Sequence, residues 1–379
     1  MARVYRAISV GCALACAALS LACPGPTPET GVDLFRVAVS GAPGGSLLAV
    51  YGDNTREEAW IVGGYVGVDP AAVPEGRVGR VVSFDGRTFT TRCTTDRVLW
   101  WIHGTRDETG LTLFAVGEGQ RVLRVRDGRC ETLDTGLSFT EGVATFWGVH
   151  AFSSQDVWLV GGSAQPTGPH GVLVHFDGTR FRRVTTLPPE ALEQNLYKVT
   201  ATRDGTMIVV GGSGVVLEGR EGAMSAVQVP SRGFDNRLFT VSCGPLSCYA
   251  VGGTAQGLAL SRRSGAWQPF GALGEPPGLN GVFVQDESNV FMVGIDGLTA
   301  HTNGFSAFLP PRALTPASLH GVGGFGGVVL AVGGELSERS ASQRGVVLVR
   351  GNDSPSFTFD GRVFNATGNL RRAVGGSGQ

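Results

Sequence analysis

What is scarce in this 379-residue chain narrows its class first. Only one of its 31 basic residues is a lysine, Lys198, and a codon bias toward arginine explains that more simply than guanidinium-specific roles. With 32 acidic residues the formal net charge is −1, so no field of one sign steers the chain to nucleic acid, and no nucleic-acid partner is expected. Apolar runs long enough to span a bilayer are missing, because the stretch at residues 7–22 has only 16 residues and no later window approaches it. Amphipathic helical periodicity is missing between residues 33 and 360, which excludes a helical body. The six histidines stand singly and no CxxC pair occurs, so no metal site is expected. No cofactor is expected either: "GVGGFG" (321–326) spells a dinucleotide fingerprint, but a strand-like run follows it where that site needs a helix.

The N-terminus carries an address. "MARVYR" is a basic opening, an apolar run follows to residue 22, and "CPGPTPET" breaks any continuing helix, so residues 1–22 read as a signal segment. "LSLAC" at residues 19–23 resembles the bacterial lipobox, which makes Cys23 the expected lipid acceptor; a secreted chain cut near Ala22 is the alternative. Pro24 stands where an aspartate would resemble an inner-membrane retention signal, so an outer-membrane lipoprotein is expected, with residues 23–31 as a flexible linker. Cys12 and Cys16 leave with the signal. Cys93, Cys130, Cys243 and Cys248 remain, an even four in an exported chain, and read as two disulfides. "CGPLSC" sets Cys243 and Cys248 at the ends of a Gly-Pro turn, and Cys93 with Cys130 is the pair left over.

Glycine, by contrast, is abundant at 59 residues, and it falls in a pattern. A large apolar residue, any residue, then Val-Gly recurs seven times, with the valine at Val62, Val116, Val160, Val210, Val251, Val293 and Val332. The spacings of 54, 44, 50, 41, 42 and 39 residues are those of a propeller blade. A second column lies upstream of each copy: Leu47/Val50, Leu99/Ile102, Phe146/Val149, Leu196/Val199, Leu238/Val241, Leu279/Val282 and Leu319/Val322. Downstream, a glycine opens a β-rich run, and Asp-Gly turns such as "FDGRTF" (84–89) and "FDGTRF" (176–181) lead into a further strand. Each unit therefore reads as four strands, and the chain over 32–360 as an all-β, seven-bladed β-propeller of four-stranded antiparallel blades. The ring closes best if residues 32–39 supply the outer strand of the last blade, since "SFTFD" near residue 356 is a weak fourth strand; residues 361–379 read as a tail.

These units resemble the blades of photosystem II stability/assembly factor-like and sialidase-type repeat propellers over essentially residues 32–360. The shared features are an aromatic-x-Val-Gly strand, a Gly-opened strand and a Asp-Gly turn before an aromatic residue. The resemblance implies either an assembly-type binding protein or a carbohydrate-active enzyme. "SFDGRTF" (83–89) departs from the sialidase Asp box by placing Gly86 one position early, so the architecture is carried over and the activity is not.

Inside that architecture, Trp60 and Trp158 fill the repeated apolar column and read as core between blades, whereas Trp100, Trp101 and Trp147 lie near innermost strands with no role assigned. His150 and His320 fall on or near innermost strands, so the ring could bring them toward one channel. The variable positions are more informative, because loops on a rigid scaffold are where binding usually lies. Three blades carry insertions after Val-Gly, at 64–78 with Tyr65, Asp69 and Glu75, at 163–170 with Gln165 and His170, and at 335–344 with Glu335, Arg339 and Arg344. The Pro-rich connection at 187–195, with Glu190, emerges on the same face. The expected function is a non-enzymatic binding or assembly scaffold working through this face, with another envelope or extracellular protein, or a glycan, as partner. The alternatives are a sialidase-like enzyme or a small-molecule or metal sensor in the central channel.

Overall fold

The computed structural model describes residues 35–138, 145–162, 170–232 and 235–371. Cys23 and Gln165, with the segments read as signal and linker, lie outside these residues. Seven antiparallel sheets form the blades of a propeller. Their innermost strands are Ser46–Asp53, Leu99–Asp107, Thr145–Ser153, Leu196–Ala201, Leu238–Cys243, Leu279–Asp286 and Leu319–Phe325, and each touches the innermost strand of the next blade round to the first.

Alternation along the second strands explains the stacking. In Asp156–Gly162 of blade three, Val157 and Leu159 join a core with Phe114 and Val116 of blade two. Trp158 and Val160, on the opposite side of the strand, join Leu196 and Val209 of blade four. Every blade is thus apolar on both faces and is stable only between two neighbours. Tight Asp-Gly turns link the outer strands: Gly86 and Gly178 sit at φ +93° and +92°, where a Cβ would be strained, and the carboxylates of Asp85 and Asp177 accept the turn amides.

The glycine of each Val-Gly has a different task. At Gly63, Gly117, Gly161, Gly211, Gly252, Gly294 and Gly333 an added Cβ would lie only 1.8–2.4 Å from the carbonyl oxygen of the residue that leads into, or begins, the innermost strand. That close approach accompanies a β-bulge at the same place in all seven innermost strands, between Leu47 and Ala49 in blade one and between the equivalent residues in the others. One extra residue per blade is left without a register partner there.

Ring closure joins both ends of the chain. The outer strand of blade seven is Arg36–Ala42, paired antiparallel with Gly345–Arg350 and so shifted slightly along from the residues 32–39 expected for it. The weak segment near residue 356 is not a fourth strand of blade seven. Ser356–Phe359 adds in parallel to the outer strand of blade one, Thr88–Thr95, and turns back as Arg362–Asn365 to make that sheet six-stranded. The sequence reading of 361–379 as a tail is corrected at 362–365. The physical reason is an aromatic cluster, in which Phe357, Phe359 and Phe364 bury themselves against Phe84 and Phe89.

Two disulfides reinforce the ring. Cys93–Cys130 joins the outer strands of blades one and two, and Cys243–Cys248 spans the first hairpin of blade five. By loop entropy the first, closing 37 residues, contributes about 4 kcal/mol and the second about 2 kcal/mol. Among the described residues no helix is long and apolar enough to cross a membrane.

Candidate functional site

The seven bulge residues are Leu48, Trp100, Trp147, Tyr197, Phe239, Asn280 and His320, and all seven line one cavity of about 570 Å³. A bulge re-aims a side chain that plain alternation would send elsewhere, and here it turns one side chain per blade into the mouth of the central channel. Four of the seven are aromatic. Trp147 and Tyr197 meet edge to face with ring centroids 5.3 Å apart, and Tyr197 and Phe239 lie 5.6 Å apart, so an arc of rings runs over blades three to five. Blades six and seven place polar groups on the circle, and these are held: Asn280 Nδ2 donates to Leu319 O (2.9 Å), Asn280 O accepts from Thr240 Oγ1 of blade five (2.6 Å), and His320 Nε2 lies 2.8 Å from Gly334 O.

Lys198, next to the bulge residue of blade four, lines the same mouth although it is only 6% exposed. Its Nζ donates to Trp147 O at 2.9 Å and sits 3.3 Å from the centroid of the Trp101 ring, spanning three blades. Burial pushes its pKa well below the usual lysine value.

Two insertions form the rim. Val68, Val73 and Val78 of the 64–78 loop pack with Leu48 and Val98, against Tyr65, Trp100 and Leu336. Buried Gln343 ties this loop to the 335–344 insertion, accepting from Val66 N (2.9 Å) and donating to Val66 O and Glu338 O.

Of the residues singled out from sequence, Glu335 reaches the cavity wall, where its carboxylate accepts from Ser318 N, and Tyr65 packs at the rim. The others have local roles. Asp69 caps a short helical turn through Ala71 N, Glu75 pairs with Arg77 in solvent, Arg339 lies beside Gly67, and Arg344 donates to the carbonyls of Ala341 and Gln343. His170 donates its amide to Leu192 O at the start of its strand, and Glu190 lines a separate hollow of about 210 Å³. What sequence reading leaves without a common role is the first "x" of Leu-x-x-Val, a position filled by four aromatic residues, a leucine, an asparagine and a histidine, together with Lys198. The signal for the lysine was its solitude.

His150 and His320 do not meet. His320 lines the mouth, whereas His150 lines a second cavity of about 640 Å³ toward the opposite face, with Trp101 bordering both. His150 meets His103 instead, ring centroids 4.3 Å apart, while His103 Nδ1 accepts from Ala151 N. Among the described residues no group of three ligand-type side chains could hold a metal ion. Burial lowers the pKa of His103 to about 4, and burial, with the neighbouring His103, holds His150 well below 6.5. The fold therefore keeps both rings neutral, while the unfolded chain takes up protons near pH 6.5. The stability they contribute is complete above about pH 6.5 and is lost as pH falls toward 4. Thermal melts across that window are expected to fall steadily, and to flatten when both rings are replaced by His103→Gln and His150→Gln.

No protein-family model and no curated protein matches the sequence. Solved structures do match in shape. YCF48 bound to a D1 peptide superposes with a TM-score of 0.58 at 13% identity, over 85% of this chain and 98% of that one. YCF48 from Cyanidioschyzon merolae gives 0.56 at 14% identity, over 83% of this chain and 98% of that one. Virginiamycin B lyase from Staphylococcus aureus gives 0.58 at 12% identity, over 83% and 99%. A binding protein and an enzyme are thus matched about equally, and at this identity the likeness establishes the propeller fold alone.

Proposed function

We propose that the chain is an exported, non-enzymatic binding propeller, held at the cell envelope by lipid on Cys23, that takes a segment of a partner protein into its aromatic channel mouth. The observation that carries this reading is the convergence of seven bulge residues, one per blade, on a single open cavity. Apolar walls with a few fixed polar groups suit an inserted side chain, and aromatic residues dominate binding energies at such sites. The D1 peptide on YCF48 favours a protein segment over a glycan. The anchor rests on "LSLAC" at residues 19–23. The sialidase-like alternative would use an arginine cluster with a tyrosine; Tyr197 and one carboxylate, Glu335, are present, but no arginine is among the described lining residues.

Peptides selected by display against the mature chain are expected to carry an aromatic or large aliphatic residue. Trp147→Ala is expected to weaken them at least tenfold, about 1.4 kcal/mol, in fluorescence titrations. Equal binding to the variant would remove the mouth from the reading. A Cys23→Ala chain that still fractionates with membranes would remove the anchor.

A further inference from the structure

Lys198 stands out on three independent grounds. It is the one lysine in a chain that uses arginine for every other basic residue, and an amine can lose its proton where a guanidinium cannot. It lies in a column filled in the other blades by Ala49, Trp101, Gly148, Thr240, Gly281 and Gly321, so no repeat requirement places a long side chain there. Its Nζ lies against the Trp101 ring and the Trp147 carbonyl, on the wall of an open, aromatic-lined cavity.

We propose that Lys198 is a carbonyl-capturing amine, a reversible Schiff-base site for an aldehyde or ketone that carries a flat apolar body. The inference rests on the reading of the mouth as the ligand site. The Nζ lone pair forms a bond to the carbonyl carbon while the carbonyl oxygen takes up a proton. The nitrogen keeps one of its two protons while the carbinolamine hydroxyl takes a proton from solvent and leaves as water, which gives the protonated imine, and no oxidant or reductant is consumed. The geometry suits the product better than the starting ammonium. An ammonium brings three N–H donors to one carbonyl acceptor at Trp147 O. A protonated imine brings one, and keeps its positive charge over the Trp101 face, where a cation is attracted. Meanwhile the apolar body of the ligand can lie against Trp147, Tyr197 and Phe239. Burial, which favours the neutral amine, makes the nitrogen nucleophilic at a pH where an exposed lysine is protonated. His320 and Glu335 are the other titratable groups of the same wall besides Tyr197, and His320 is itself held toward its neutral form by burial.

The solitary lysine makes the test clean. The full-length chain is incubated with cinnamaldehyde and sodium cyanoborohydride, and the adduct is located by peptide mass spectrometry. In parallel, cinnamyl alcohol, which has the same body but no carbonyl, is titrated by tryptophan fluorescence. One side-chain adduct, on Lys198, is expected, resolved by peptide mass from any on the terminal α-amine, forming at pH 7 at least tenfold faster than on Nα-acetyl-lysine amide and absent in Lys198→Arg and Lys198→Met. Trp147→Ala is expected to slow it. Alcohol binding without faster trapping would overturn the amine and leave the mouth standing. Failure of both the alcohol and the aldehyde would overturn the amine and, for small aromatic ligands, the mouth as well.

Discussion

Replacing Val39 by aspartate is expected to destabilise the whole ring by on the order of 4 kcal/mol, the cost of leaving a buried charge without a partner. Val39 lies in the outer strand of blade seven, pairs with Val347, and is fully buried among Leu47, Val50, Val332 and Val347 at the junction with blade one. This strand comes from the opposite end of the sequence to the rest of its blade. Losing it opens the propeller at one seam and leaves Gly345–Arg350 as an unprotected edge, a template for pairing between chains. The melting temperature is expected to fall by roughly 5–10 °C for a chain of this size. Ser40→Asp is the control, one residue along on the exposed side of the strand, and is expected to change stability by less than about 0.5 kcal/mol. Equal losses in the two variants would mean that this strand does not close the ring in the register described.

How far the sequence could be read follows from what each feature demands of its residues. The Val-Gly column was legible because its requirement is steric and identical in every blade: only glycine tolerates a carbonyl oxygen where Cβ would be. The apolar columns were legible because alternation in a strand buried on both faces is chemical and repeats. The channel residues were not. Between Leu196 and Val199 a regular strand would send Tyr197 and Lys198 to opposite sides, and only the bulge, a property of hydrogen-bond register, brings both to the mouth. Repetition also hid them, since a leucine, an asparagine, a histidine and four aromatic residues occupy one position and no single residue type marks the column. The loops attracted attention through their length and charge. Yet their charged residues mostly serve the loops themselves, as Asp69 and Arg344 do; the loop residues that line the mouth are Glu335, Leu336 and Ser337, while valines 68, 73 and 78 and Gln343 hold the rim together. The C-terminal hairpin was illegible for another reason. It attaches in parallel to a strand some 270 residues earlier, so nothing local marks its partner.

That hairpin carries the second large effect. Phe357→Ala is expected to cost about 3–5 kcal/mol, the usual penalty for a fully buried phenylalanine whose cavity cannot collapse. Its ring lies 6.1 Å from Phe84 and 6.2 Å from Phe89, both committed to blade one, and the Arg36 guanidinium covers it at 4.9 Å. Arg36 belongs to the N-terminal strand, and it also donates to Asn352 O and Ser354 O, while Asn352 Nδ2 donates to Gly86 O in blade one. Ser40 N, on the same N-terminal strand, donates to Gly368 O beyond the hairpin. The two ends of the chain therefore fasten the same seam from either side, the N-terminal strand within blade seven and the hairpin across to blade one. A chain stopped after Pro355 is expected to lose more than Phe357→Ala does, because Phe359 and Phe364 leave with it. Val363→Ala, on the 38% exposed side of the hairpin, is expected to be nearly neutral. Because Arg36 and Phe357 are in contact, the double replacement Arg36→Ala with Phe357→Ala is expected to cost less than the sum of the single losses in denaturant titrations. Strict additivity would show that the hairpin is held by blade one alone and does not strap the ring.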